Sequence, residues 1–200
     1  MESRTKTEEI QATEGNLSQI FRKLIESTNE DPSRNGLEET WKRRAPEMWK
    51  TVTEGYDESN KPEMTSFPTE EDGMVVKKDI PFHSLCEHHI LPFSGTVHIG
   101  YVPNGEIIGL SKLIRYTRWK SRKLSTQERL TQEIAEGLSE EIDPEGVMVA
   151  IEAEHMCEAM RGVETPDTTT VTTVAKAVFE ESSQGQNPRR EFLDQINFNR

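Results

Sequence analysis

The 200-residue chain is short of cysteine: it has two, Cys86 and Cys157. Two thiols cannot build the disulfide framework of a small secreted scaffold. Long apolar runs are also missing. Nowhere do eighteen apolar residues follow one another, and the first thirty residues hold no apolar stretch of signal-peptide length. No membrane partner is expected, and the expected location is cytoplasmic. Basic charge is in deficit: 24 Lys and Arg stand against 36 Asp and Glu, a formal charge of −12 with a pI near 5.0. That balance argues against nucleic-acid binding, which wants a basic surface, and favours solubility, as in a high-salt cytoplasm. Apolar residues make up 32% and mean hydropathy is −0.74, so one substantial core is the expectation and much of the chain must face water. No internal repeat is evident. Neither His-Glu-x-x-His nor His-x-Glu with Pro-Cys-x-x-Cys occurs, which sets aside the zincin and nucleoside deaminase patterns.

What cysteine there is sits beside histidine. Cys86-Glu87-His88-His89 and His155-Met156-Cys157 hold both cysteines and three of the five histidines. Two thiolates and an imidazole suit a soft or borderline divalent metal, and three protein ligands leave a fourth position for water, as in a catalytic zinc site. His88 and His155 then stand as spare histidines where proton transfer would be needed. The plainer alternatives are one disulfide, which a reducing compartment disfavours, or two buried free thiols.

Along the chain, Leu17, Ile20, Phe21, Leu24 and Ile25 follow helical spacing and predict a helix over 15–28. A second amphipathic helix is expected over 36–53, with Pro46 as an interruption. Residues 54–72 are rich in Glu, Asp, Ser, Asn and Pro and read as a mobile acidic loop. The expected division is therefore an N-terminal helical segment, 1–72, and a catalytic domain, 73–200. From Met74 the pattern turns to strands: one begins at Val75, 95–101 alternates, 103–105 turns, and 107–110 returns. Helices are expected over 111–123 and 126–140, then strands over 146–154 and 168–178. Strands two by two around a helical pair give an α+β fold with an antiparallel sheet. His98 reads as an outward-facing or satisfied sheet histidine, His83 takes no role, and Trp41 and Trp119 read as packing residues.

Between 111 and 130 the charge reverses sign. Most of these cations read as solvated helix surface. Lys112 and Arg115, however, lie three apart just after Gly109-Leu110-Ser111, so on a first helical turn they share a face. A helix start with free N–H groups, a hydroxyl and two cations suits a phosphate chain, and Arg161 is a third cation close to Cys157.

These residues resemble, in order, the motifs of the GTP cyclohydrolase I family: Cys86-Glu87-His88-His89, Gly109-Leu110-Ser111-Lys112-x-x-Arg115, Gln127-Glu128-Arg129-Leu130-Thr131, and His155-Met156-Cys157-x-x-x-Arg161-Gly162. Asp31-Pro32-Ser33-Arg34-Asn35-Gly36-Leu37 looks like the family's N-terminal helix junction, and Phe179 with Arg190-Glu191-Phe192-Leu193 like its C-terminal end, so the likeness covers about residues 30–195. Departures are Trp41 in place of a proline, Glu158 after Cys157, and no glycine before Phe179.

The resemblance implies a tunnelling fold (T-fold): an antiparallel sheet backed by two helices, with subunit sheets closing into a ring-shaped barrel. It implies a toroidal homodecamer of two stacked pentamers with active sites between subunits. By motif position, Cys86, His89 and Cys157 would bind zinc, and iron(II) fits the same ligands. His88 and His155 would transfer protons. Gln127 and Glu128 would recognise the guanine edge, Ser111 would lie near the ribose, and Lys112, Arg115 and Arg161 would hold the triphosphate, with Glu87 supporting the site near the metal. The implied reaction takes GTP to formate and 7,8-dihydroneopterin triphosphate, the first step of a pterin or tetrahydrofolate-type pathway. The competing readings are a non-catalytic zinc-stabilised ring that binds a nucleotide, and another tunnelling-fold enzyme of pterin or deazapurine chemistry.

Overall fold

A computed structural model of the chain describes residues 6–180 and 187–197. It divides into two compact units, with the boundary between Thr53 and Glu54. Residues 54–72 therefore fall in the second unit, whereas the sequence pattern placed them with the N-terminal segment.

In the first unit, helix α1 runs Lys6–Glu26, starting earlier than the apolar spacing predicts. The turn that follows needs Gly36, whose φ of +102° is open to glycine and costly for a side chain. The expected single helix over 36–53 is in fact two pieces. Residues Thr40–Arg44 form a wide π-type turn, and α2 spans Ala45–Val52 with Pro46 in its first turn. Pro46 has no N–H to give, which suits a first helical turn, and the Ala45 N–H bonds Thr40 O five residues back. Trp41 packs as expected: its indole N–H donates to Pro32 O at 3.0 Å and its ring lies under Arg22 and Lys42.

The second unit is built on a five-stranded sheet. Short β1 (Ser66–Pro68) pairs with β4 (Glu106–Ile108) in a separate ribbon. The long strands are β2 (Val75–Cys86), β3 (Pro92–Val102), β6 (Gly146–His155) and β7 (Thr170–Ala177), joined antiparallel in the order β2-β3-β6-β7. Two-residue β5 (Leu124–Ser125) adds parallel to β2 at the edge. Helices α3 (Leu110–Ser121) and α4 (Gln127–Ile142) cover one face, as the apolar spacing predicts. Alternation decides which side chains go inward. Val97, Ile99 and Tyr101 of β3 and Val147, Val149 and Ile151 of β6 are all at most 1% exposed, packed with Leu113, Tyr116, Leu130, Ile134 and Leu138 from the helices. Each such burial is worth roughly 1.5–3 kcal/mol.

The opposite face is part apolar. There α6 (Pro188–Asn197) lays Phe192 against Gly100, where a Cβ would lie 2.5 Å from the ring, and Phe179 meets Phe192 edge-on. His98, 5% exposed on this face, is a satisfied sheet histidine: its Nδ1 accepts the Asp79 N–H at 3.2 Å. The segment 54–72 holds two short 3₁₀ turns, Glu54–Tyr56 and Glu58–Asn60, besides β1, and is not the structureless loop its composition suggests. Asp57 and Gly55 anchor it, through the Trp119 indole N–H donating to Asp57 O and the Gly55 N–H donating to Arg122 O. Among the described residues no helix is long and apolar enough to cross a membrane.

Candidate active site

Antiparallel pairing puts the end of β2, the start of β3 and the end of β6 at one end of the sheet. Phe93 faces His155 in register, and Leu85 faces Pro92. The chain leaves β2 at Cys86 in a tight turn. The His89 and Ile90 N–H groups return to Cys86 O, and the Cys86 N–H bonds Leu91 O at 2.8 Å. Closing this turn sets Ile90 at φ +57°, a conformation a β-branched residue rarely adopts. Cys157 lies just past β6 in the short helix α5 (Met156–Ala159). Both cysteines are free thiols, so the disulfide alternative is not realised.

The result is a compact donor group. The ligand atoms of Cys86, His89 and Cys157 all lie within 4.8 Å of one another, with Cys86 Sγ 3.7 Å from His89 Nδ1. A tetrahedral site with bonds of about 2.3 Å to sulfur and 2.0–2.1 Å to nitrogen has ligands roughly 3.5 Å apart, so only a slight closing is needed. Burial, then the adjacent Cys86 and Glu158, push the Cys157 thiol above its ordinary pKa. Two neighbouring thiolates repel each other; a divalent cation between them reverses that cost. The donor set therefore fits a soft or borderline metal.

Four further side chains cluster around it. His88 Nδ1 is 3.8 Å from Cys86 Sγ, on the exposed side of the turn. The His155 ring stacks parallel on Phe93, centroids 4.9 Å apart, and its Nε2 is 2.8 Å from Gln127 Oε1. Gln127, the first residue of α4, is 1% exposed, and its amide nitrogen reaches Ile151 O, Thr170 O and Thr172 Oγ1 at 2.9–3.1 Å. Its carboxamide is thus fully engaged inside the protein. Glu87 forms a two-pronged ion pair with Arg129, at 2.6 and 3.3 Å, which ties the metal-site turn to the first turn of α4. The Glu87 N–H also donates to Ser125 O.

Sequence reasoning placed Arg129 inside a motif but gave it no role, because its partner is 42 residues away. Phe93 and Thr172 carry no motif signal at all. Ser111, Lys112 and Arg115 stand at the start of α3, whose N-cap Gly109 offers no side-chain bond, and Arg161 follows α5. Ser111, Arg115, Arg161 and Glu128 are exposed, and Lys112 is half-buried. Among the described residues none of these four charged-phosphate or base candidates, Lys112, Arg115, Arg161 and Glu128, has an ion-pair partner.

Fold and site together define an α+β protein that carries a thiol and imidazole metal-binding pattern at the end of a helix-backed antiparallel sheet. The family model for GTP cyclohydrolase I matches residues 17–197. A GTP cyclohydrolase 1 from Gloeobacter violaceus is 48% identical over 182 residues, covering 90% of this chain and 83% of the relative. Those of Streptococcus gordonii and Finegoldia magna are 45% and 46% identical, covering 90% and 86% of this chain and 95% and 93% of theirs. The chain belongs to the GTP cyclohydrolase I family, whose subunits have the tunnelling fold.

Proposed function

We propose that the chain hydrolyses GTP at guanine C8, releases that carbon as formate and rearranges the remainder to 7,8-dihydroneopterin triphosphate, opening a pterin or tetrahydrofolate-type pathway. The observation that carries the reading is the Cys86–His89–Cys157 donor group with two further histidines, His88 and His155, beside it. These three residues would hold zinc, or iron(II). When bound, the ion supplies a water of lowered pKa and a Lewis acid at the base.

The chain's own residues do the rest. Glu128, an exposed carboxylate with no ion pair among the described residues, accepts from guanine N1–H and the exocyclic amine in one plane. Adenine lacks that donor pair, so discrimination is large. His88 serves as the acid toward N7, and His155 toward the ribose ring oxygen. Ser111 lies near the ribose. Lys112, Arg115 and Arg161 hold the triphosphate, aided by the N–H groups opening α3. Glu87 acts through Arg129, keeping the metal-site turn against α4. Active sites formed between subunits of a toroidal decamer would complete this set, and a cytoplasmic location suits the substrate.

The ligand assignment is tested by elemental analysis of purified variants. Cys86→Ser and Cys157→Ser should lose metal and turnover together, while His88→Ala keeps metal and loses turnover. Full metal content in both Cys variants sinks the assignment.

A further inference from the structure

We infer that Gln127 is a positioning residue for His155, fixing the orientation of its ring and which nitrogen faces the substrate, and does not read the guanine edge with its side chain. The inference rests on the reading of His155 as a proton-transfer residue.

The partners of one buried amide fix its orientation. Two of the three groups around the Gln127 amide nitrogen, Ile151 O and Thr170 O, are backbone carbonyls and can only accept. The NH₂ end must therefore point toward them. The opposite orientation would set the carboxamide oxygen against two carbonyl oxygens in a site 1% exposed. With the amide so fixed, Oε1 faces His155 Nε2 at 2.8 Å, and that nitrogen must carry the hydrogen. Nδ1 is then the ring nitrogen left for substrate, the one that carries the second proton when the doubly protonated ring acts as acid toward the ribose oxygen, and among the described residues it has no hydrogen-bond partner.

The surroundings lock this arrangement. Thr131 Oγ1 donates to Gln127 O at 2.7 Å and lies 2.6 Å from Thr172 Oγ1, which accepts from the Gln127 amide. The hydroxyls thus run in one direction: amide to Thr172, Thr172 to Thr131, Thr131 to the Gln127 carbonyl. Each donates once, and a network satisfied in this way specifies one arrangement. Phe93, stacked on the imidazole, removes the remaining freedom of the ring. Gln127 thereby joins β6, β7 and α4 behind His155, with no polar atom of its side chain left for a base.

The test is a double-mutant cycle on the metal-loaded enzyme, following formate and dihydropterin separately. Gln127→Leu should lower kcat about 10- to 100-fold while KM for GTP stays within about threefold. It should stall at the same step as His155→Ala and cost nothing further in the His155→Ala background. If Gln127→Leu loses metal or its fold, Gln127→Met is read in its place. A raised KM with unchanged kcat, or losses that multiply in the double variant, would overturn the inference and return Gln127 to base recognition. Absence of turnover in the parent enzyme would instead sink the proposed function, and this inference with it.

Discussion

The Glu87–Arg129 pair yields a prediction whose size separates two roles. Its bonds are 2.6 and 3.3 Å, with the Arg129 side chain 53% exposed and Glu87 27% exposed. Pairs this open couple by about 0.2–1 kcal/mol, and the two-pronged geometry places this one near the top of that range. Even if all of it were lost from the transition state, about 1 kcal/mol is roughly fivefold in kcat/KM. Arg129→Gln and Glu87→Gln should each lower kcat/KM by no more than that, and the melting temperature by about 2–4 °C. The double variant should be no worse than either single one. Raising salt to 0.5 M should shrink the difference from the parent, because the pair is partly screened. Steady-state kinetics on the four proteins, with thermal melting alongside, measures all of this. A hundredfold loss in Arg129→Gln beside a mild Glu87→Gln would refute the clamp, since only direct contact between Arg129 and substrate could account for it.

Two further predictions concern the packing between α3 and α4. Gly137→Ala would place a methyl 1.8 Å from the hydroxyl of Tyr116, a ring only 1% exposed and unable to swing aside. Overpacking of about 1–3 kcal/mol outweighs the helical gain of roughly 1 kcal/mol, so thermal melting should fall, and Tyr116→Phe should recover part of the loss. Tyr116 also predicts a pH dependence. Burial first, then Glu141, Glu140, Glu133 and Glu58, raise its pKa above the ordinary 10.0. Above pH 10 the unfolded chain gives up this proton while the folded one keeps it, so the stability contribution is complete below pH 10 and lost as pH rises further. Urea midpoints at pH 8 and pH 10.5 should differ less in Tyr116→Phe than in the parent; an equal difference would refute the burial argument.

Much of the fold was legible because alternation and helical spacing reflect burial directly. Val97, Ile99, Leu130, Ile134 and Leu138 fall in the core where their periods put them. The segment 54–72 misled because composition does not reveal pairing: β1 finds its partner β4 forty residues on, and Trp119 anchors Asp57. Pro46 gave the break in the second helix, but not the π-type turn ahead of it. In the site, motif spacing named Cys86, His89 and Cys157, which the fold brings together. It was silent on Phe93, Thr172 and the partner of Arg129, whose contributions depend on strand register and on chain crossings that leave no local signal.

Incubating the metal-replete protein with GTP, and following formate release together with absorbance in the pterin band, decides whether the chain carries out the proposed reaction. Formate and a dihydropterin triphosphate should appear in equal amounts, both abolished by chelator and restored by zinc or iron(II). Neither product, with metal and GTP both bound, would contradict that reaction and leave a non-catalytic nucleotide-binding ring.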